Sequence, residues 1–283
     1  MTIWGRFIGV LLGFKLLGIL GAIIGFFVGS WFDRGLRLHL HHIPRERSIA
    51  VQNAFFTATF SIMGHLAKAD GRVSEREIRA ANQIMSRLEL NDELRKQAIH
   101  LFTKGKEPDF NIEEALSLLM QECYKHPDLL RFFVEIQLEA ALADGELHSE
   151  ERRILLLICQ RLNFSPQEFE QLWARQWASQ AFQWSSQSSQ SSQSQYANGR
   201  SYEYAYAKNT EAYSLQDAYG VLGILSSATI AEIKKAYRRL MNQHHPDKLA
   251  ARGLPEGMVK LAKEKTQQIR AAYDLIREER GFR

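Results

Sequence analysis

Three groups of residues in this chain have the types and spacing to do chemistry. His245, Pro246 and Asp247 place an imidazole and a carboxylate on either side of a proline, a polar pair suited to contacting a partner surface. Asp70 and Glu77 recur at the same separation as Asp144 and Glu151, so four carboxylates stand ready as hard oxygen ligands for a divalent cation if the two copies pack together. His39, His41 and His42 invite a metal reading too, but no cysteine lies nearby to complete a tetrahedral site, and they read as an interfacial polar segment. No nucleophile with a base beside it, no phosphate loop and no clustered histidine and cysteine site is visible, so the chain is not expected to be an enzyme.

The triplet has to be held by helices. From Ala228 to His244, Ile230, Ile233, Ala236, Tyr237 and Leu240 recur at helical spacing and form a core face. Lys234, Lys235, Arg238 and Arg239 fall largely on the other side, where four cations make a field suited to an acidic partner. Pro246 stops this helix and implies a polar loop at the triplet, while His244 reads as a helix-end residue favoured near the negative pole of the dipole. A second helix opens near Pro255 and runs to about Arg280, with Met258, Leu261, Ile269, Ala272, Tyr273 and Ile276 on one side. The short apolar run from Asp217 to Ile224, closed by a glycine, is a third helix able to lie across the base of this antiparallel hairpin.

The carboxylate pairs belong to a middle region, residues 48–180, whose pattern is helical throughout. Ala67-Lys-Ala-Asp70-Gly71-Arg-Val73-Ser-Glu-Arg-Glu77 is echoed by Ala141-Leu-Ala-Asp144-Gly145-Glu-Leu147-His-Ser-Glu-Glu151. Gly71 and Gly145 would end a helix in the left-handed conformation, and Ser74 with Glu77 would form a capping box for the next one. The second copy lacks a matching box, because Ser149 has no glutamate three residues on. Capping alone therefore leaves the repeated separation unexplained, which is the case for a cation. An EF-hand is excluded, since it needs Asp or Asn at alternate positions and glycine at the sixth.

Bulk properties narrow the rest. A net charge of +4 is far from the basic excess of a nucleic-acid-binding protein, and no nucleic acid is expected. Cys123 and Cys159 have neither pairing nor metal spacing, which fits a reducing compartment. Phe7 to Phe32 is almost wholly apolar, and even the part after Lys15 reaches the roughly 17 residues a spanning helix needs, so a single transmembrane helix is expected. Arg34, Arg37, Arg45 and Arg47 outnumber Arg6, which puts the N-terminus outside and the soluble parts in the cytoplasm. Gly18, Gly21, Gly25 and Gly29 share one face of that helix and form a candidate dimerisation seam. Ser185 to Gln195 contains only serine and glutamine, so residues 181–213 are expected to be a disordered tether of about 30 Å r.m.s. span, along which the last domain searches around its anchor.

Tyr219-Gly-Val-Leu-Gly-Ile224, Ile233-Lys-Lys-Ala-Tyr-Arg-Arg-Leu240, His245-Pro-Asp-Lys248 and Ile269-Arg-Ala-Ala-Tyr273, in that order, resemble the J domain of DnaJ-like co-chaperones. The resemblance implies that His245, Pro246 and Asp247 contact a DnaK-type chaperone and trigger its ATP hydrolysis. It also implies that Lys234, Lys235, Arg238, Arg239 and Lys248 dock on that partner's acidic surface. Thr266 departs from the family, which often has a buried phenylalanine there, and the family's glycine/phenylalanine stretch and zinc repeat have no counterpart here. The duplicated acidic turn is similar to the TerB-like domain of tellurite-resistance proteins, which implies an all-helical module with a metal-binding or interaction role.

In sequence order the chain resembles the DjlA type of membrane-anchored DnaJ-like protein. That implies an all-α fold: a transmembrane anchor at 1–33, a TerB-like domain at 48–180, a tether at 181–213 and a J domain at 214–283. The expected function is recruitment and activation of a cytosolic DnaK-type chaperone at a bacterial inner membrane, as a homodimer with no required cofactor. A second reading makes the TerB-like domain primary, as a membrane metal sensor or signalling scaffold with the J domain as its effector.

Overall fold

The computed structural model describes residues 45–69, 71, 75–191 and 215–282, and every regular element among them is helical. The expected membrane span, its four glycines, the three clustered histidines, Asp70, Ser74 and residues 192–214 lie outside the described residues. Among the described residues no helix is long and apolar enough to cross a membrane.

Helix α1 (Arg45–Leu66) carries apolar residues all round, so it can only be buried, and Val51, Phe55, Phe60, Ile62 and Met63 are. The hydroxyls of Thr59 and Ser61 donate back to the carbonyls of Phe55 and Thr57, which satisfies them inside the core. The apolar core of α1 is shared by α2 (Glu75–Arg87), α3 (Asp92–Gly105), α4 (Ile112–Cys123) and α5 (Pro127–Ala141). Helices α3 and α4 start where Asn91 and Asn111 accept backbone N–H bonds, and α5 starts at a proline, whose missing N–H costs nothing in a first turn. Helix α5 is buried on nearly every side, with Phe133 edge-on to Phe55 at 6.0 Å. Helices α6 (Ser149–Arg161) and α7 (Pro166–Ser191) close the bundle.

The glycines of the two duplicated turns share one backbone conformation. Gly71 and Gly145 sit at φ +92° and +91°, as expected of left-handed helix ends. The second turn corrects the expectation about its cap: α6 begins at Ser149, so His148 is its N-cap, and Glu151 accepts the His148 N–H at 3.0 Å. Because α2 begins at Glu75, Glu77 is the third residue of its helix just as Glu151 is of α6. In the second turn, Glu151 thus has a capping role at that spacing.

Helix α7 continues to Ser191, past residue 181 where the tether was expected to begin. Serine and glutamine are tolerable helix formers when a preceding turn is already in place, and Phe182 is buried, which anchors that turn.

The C-terminal module comprises α8 (residues 215–222), α9 (Ile230–His244), α10 (Pro246–Ala251) and α11 (Glu256–Arg280). Thr229 and Glu232 form a reciprocal capping box that starts α9. Tyr237 and Tyr273 stack at 4.1 Å between α9 and α11, joining the expected hairpin. Ile233, Ala236 and Leu240 are buried as expected, whereas Ile230, in the first turn of α9, is 43% exposed.

The module does not stand apart from the bundle. Ser48–Arg283 forms one compact unit, and Leu249, Leu254, Met258 and Leu261 enter the same apolar core as α1 and α5. Conversely, Ala178 and Phe182 of α7 join the core of α8, α9 and α11. This corrects the expectation of a freely searching domain. Buried side chains of this size stabilise by about 1.5–3 kcal/mol each, so apolar contact outweighs the surface ion pairs around it.

Candidate partner-binding site

His245 closes α9 and opens α10 in one step. Its backbone is extended (ψ 120°), and its carbonyl accepts the Leu249 N–H at 3.0 Å to start the short helix that Pro246 heads. Where a loop was expected there is a helix start, because a proline that breaks the helix before it is well placed to begin the next. The side chains of His245 and Asp247 are exposed on either side of this fixed corner. Asp247 lies in the first turn of α10, where the helix dipole favours a carboxylate. A rigid donor or acceptor paired with an anion is a recognition device, oriented before a partner arrives.

Of the basic residues on α9, Lys235, Arg238 and Arg239 are exposed. Lys234 is half-buried, with its ammonium 5.4 Å from the centre of the Phe282 ring. Lys248 donates to the carbonyl and the side-chain oxygen of Asn242, at 3.2 and 3.1 Å, and lies 3.1 Å from the Asp128 carboxylate of α5. Arg252 pairs with the same carboxylate. The structure thus leaves His245 and Asp247 exposed at the corner and Lys235, Arg238 and Arg239 exposed along the helix that leads to it, and turns Lys248 toward the bundle.

Directly behind the corner lies a buried charge cluster that sequence reasoning missed. His244, expected as a charged helix-end residue near the negative pole of the dipole, is 2% exposed and sits 3.5 Å from Glu135. Burial drives its pKa down to about 4 against the attraction of Glu135, so at neutral pH it is uncharged and adds nothing to the helix dipole. Burial works against ionisation of Glu135 as well. Arg175, at 2.9 Å, and Lys265, at 4.0 Å, nevertheless hold this carboxylate below its usual range. Lys265 also donates to Gln176 at 2.9 Å and lies 3.5 Å from Glu139, and the Arg87 guanidinium pairs with both Glu139 and Glu264. A signal for this was present: Lys265 falls on the apolar stripe of α11, and Glu135 interrupts Phe132-Phe133-Val134-Glu135-Ile136.

The carboxylates proposed for a cation are only partly in view. Glu151 is buried and accepts the His148 N–H, and the side chains of Asp70, Glu77 and Asp144 lie outside the described residues. Among the described residues no three His, Cys, Asp or Glu are grouped to hold a metal ion. Cys123 and Cys159 are buried free thiols, and burial pushes both up to about 12.

Three protein families match the chain. Residues 1–39 match the co-chaperone DjlA transmembrane domain, residues 56–174 the tellurite resistance protein TerB, and residues 217–281 the DnaJ domain. The co-chaperone protein DjlA of Coxiella burnetii is 46% identical over 283 residues, covering 98% of each chain. Its namesake from Photobacterium profundum is 43% identical over 287 residues, covering 99% of this chain and 100% of its own. The Haemophilus influenzae protein of the same name is 41% identical over 292 residues, covering 100% of both. No solved structure matches.

Proposed function

The chain belongs to the DjlA family of membrane-anchored DnaJ-like co-chaperones, and from that premise we propose that it recruits a DnaK-type chaperone and stimulates its ATP hydrolysis through His245, Pro246 and Asp247. The observation that carries this reading is the exposed His245–Asp247 corner, fixed by Pro246 and flanked by the exposed cations Lys235, Arg238 and Arg239. The cations raise the encounter rate with an acidic surface, and the corner supplies the oriented contact. Lys234 adds charge at the edge of the same face. The chemistry belongs to the partner, and this chain acts as its activator.

The same reading places the N-terminus in the periplasm and residues 48–283 in the cytoplasm, where ATP and a DnaK-type partner are found, and it joins two copies through Gly18, Gly21, Gly25 and Gly29. Self-association in membranes after replacing Gly21 and Gly25 with leucine tests that seam.

The deciding experiment is single-turnover ATP hydrolysis by a purified DnaK-type chaperone in the presence of the full chain. His245→Gln should abolish stimulation, a loss of at least about tenfold in rate, while circular dichroism stays unchanged, because an exposed side chain carries little stability. Equal stimulation by the variant would overturn the reading.

A further inference from the structure

We propose that the TerB-like domain is a cis partner of the J domain and that its Asp128 competes with the chaperone for Lys248. This rests on the co-chaperone reading above and adds a regulation to it.

Two glycines of the J domain show that docking is written into the sequence. Gly220 lies inside α8 and Gly257 in the first turn of α11, and neither has positive φ, so turn geometry does not call for glycine at either position. Inside a helix, glycine costs about 0.5–1 kcal/mol relative to alanine. A Cβ added at Gly220 would stand 2.5 Å from the Ala178 Cβ of α7, and no J-domain side chain comes within 4 Å of it. A Cβ at Gly257 would stand 3.0 Å from Leu90 Cδ2 and 3.1 Å from the Leu88 carbonyl. Both glycines are therefore small because the other domain approaches there. The polar contacts agree: Arg87 ties Glu139 of α5 to Glu264 of α11, and Ser179 and Gln268 exchange two hydrogen bonds, at 2.6 and 3.2 Å.

Docking is not neutral toward the partner-binding corner. Lys248 comes directly after the triplet, and Asp128 holds both it and Arg252, so one bundle carboxylate takes the place an acidic chaperone surface would fill. Asp128 is only 17% exposed, which shields the pair from solvent and makes it harder to exchange than a surface ion pair. The remaining contacts, His245, Asp247, Lys235, Arg238 and Arg239, stay open, so a chaperone can engage the docked domain but gains Lys248 only by displacing Asp128. By linkage, the factor by which docking weakens chaperone binding is the factor by which chaperone binding weakens docking.

The test is the concentration dependence of stimulated single-turnover ATP hydrolysis, using the full chain in lipid nanodiscs. Asp128→Asn keeps the size of the side chain and removes its charge, and Gly220→Leu opens the docking surface without touching Asp128 or Lys248. Each should lower the half-saturating concentration about three- to tenfold with the maximal rate unchanged, as expected for release of one partly buried ion pair. Amide hydrogen exchange of α5 should stay slow in both variants, which separates undocking from unfolding. An unchanged or raised half-saturating concentration in both, with wild type active and His245→Gln inactive, overturns the competition and leaves the co-chaperone reading standing. A wild-type chain that stimulates nothing overturns both.

Discussion

Two adjacent histidines show how far residue type alone reaches. His245 was legible because an exposed corner is a local property, defined by Pro246 and the helices on either side of it. His244 was not, because its environment is made by α5, α7 and α11, whose residues lie up to about a hundred positions away in the chain. Its consequence is a pH dependence of stability. His244 is neutral in the fold with a pKa of about 4, and Glu135, Arg175, Lys265 and Arg131 surround it. Unfolded, it titrates near 6.5, so between those values the unfolded chain binds the extra proton. Its contribution is therefore fully present above pH 6.5 and is lost as pH falls toward 4, by an amount of order 3 kcal/mol. Urea unfolding of the full chain at pH 7 and pH 5 should show roughly half of this loss, and His244→Gln should flatten it. An equally steep loss in the variant would place the titration elsewhere.

At the scale of elements, the helical character of both domains was legible from periodicity, and the boundaries of the two long C-terminal helices came within two residues of those expected. Thr229 with Glu232 is a cap of familiar residue type, readable as a Thr-x-x-Glu signature before an apolar run. His148 with Glu151 is not, because histidine is an unusual N-cap, and so helix capping and ligand chemistry stand as two explanations of the repeated Asp–Glu spacing. The two explanations predict different mutants. If Glu151 is a cap, Glu151→Ala should destabilise the chain by about 1 kcal/mol, while Glu151→Gln, which keeps an acceptor for the His148 N–H, should lose roughly half as much or less. If a divalent cation uses Glu151, both variants should lose the same cation-dependent stabilisation. Thermal unfolding with and without manganese or zinc distinguishes the two, and a cation-induced shift removed by Glu151→Gln would restore the ligand role.

The order of modules along the chain was readable from short motifs, but their assembly was not, because no local pattern links Arg87 to Glu264 or Asp128 to Arg252 across such sequence separations. A polar tract of serine and glutamine suggests that the domain after it moves independently; the shared core of Leu249, Leu254, Met258 and Leu261 with α1 and α5 outweighs that suggestion. Two domains that share a core should also unfold together. In wild type, hydrogen exchange in rising urea should therefore strip protection from α5 and α11 at the same midpoint. Arg87 bridges the domains with its side chain 28% exposed, and Arg87→Met leaves Glu139 and Glu264 short of a partner, at a cost of about 1–3 kcal/mol borne at the seam. In that variant α11 should lose protection first, with α5 following near its wild-type midpoint. Loss of both together at a lower urea concentration would mean that Arg87 supports the bundle itself and not the docking of the J domain upon it.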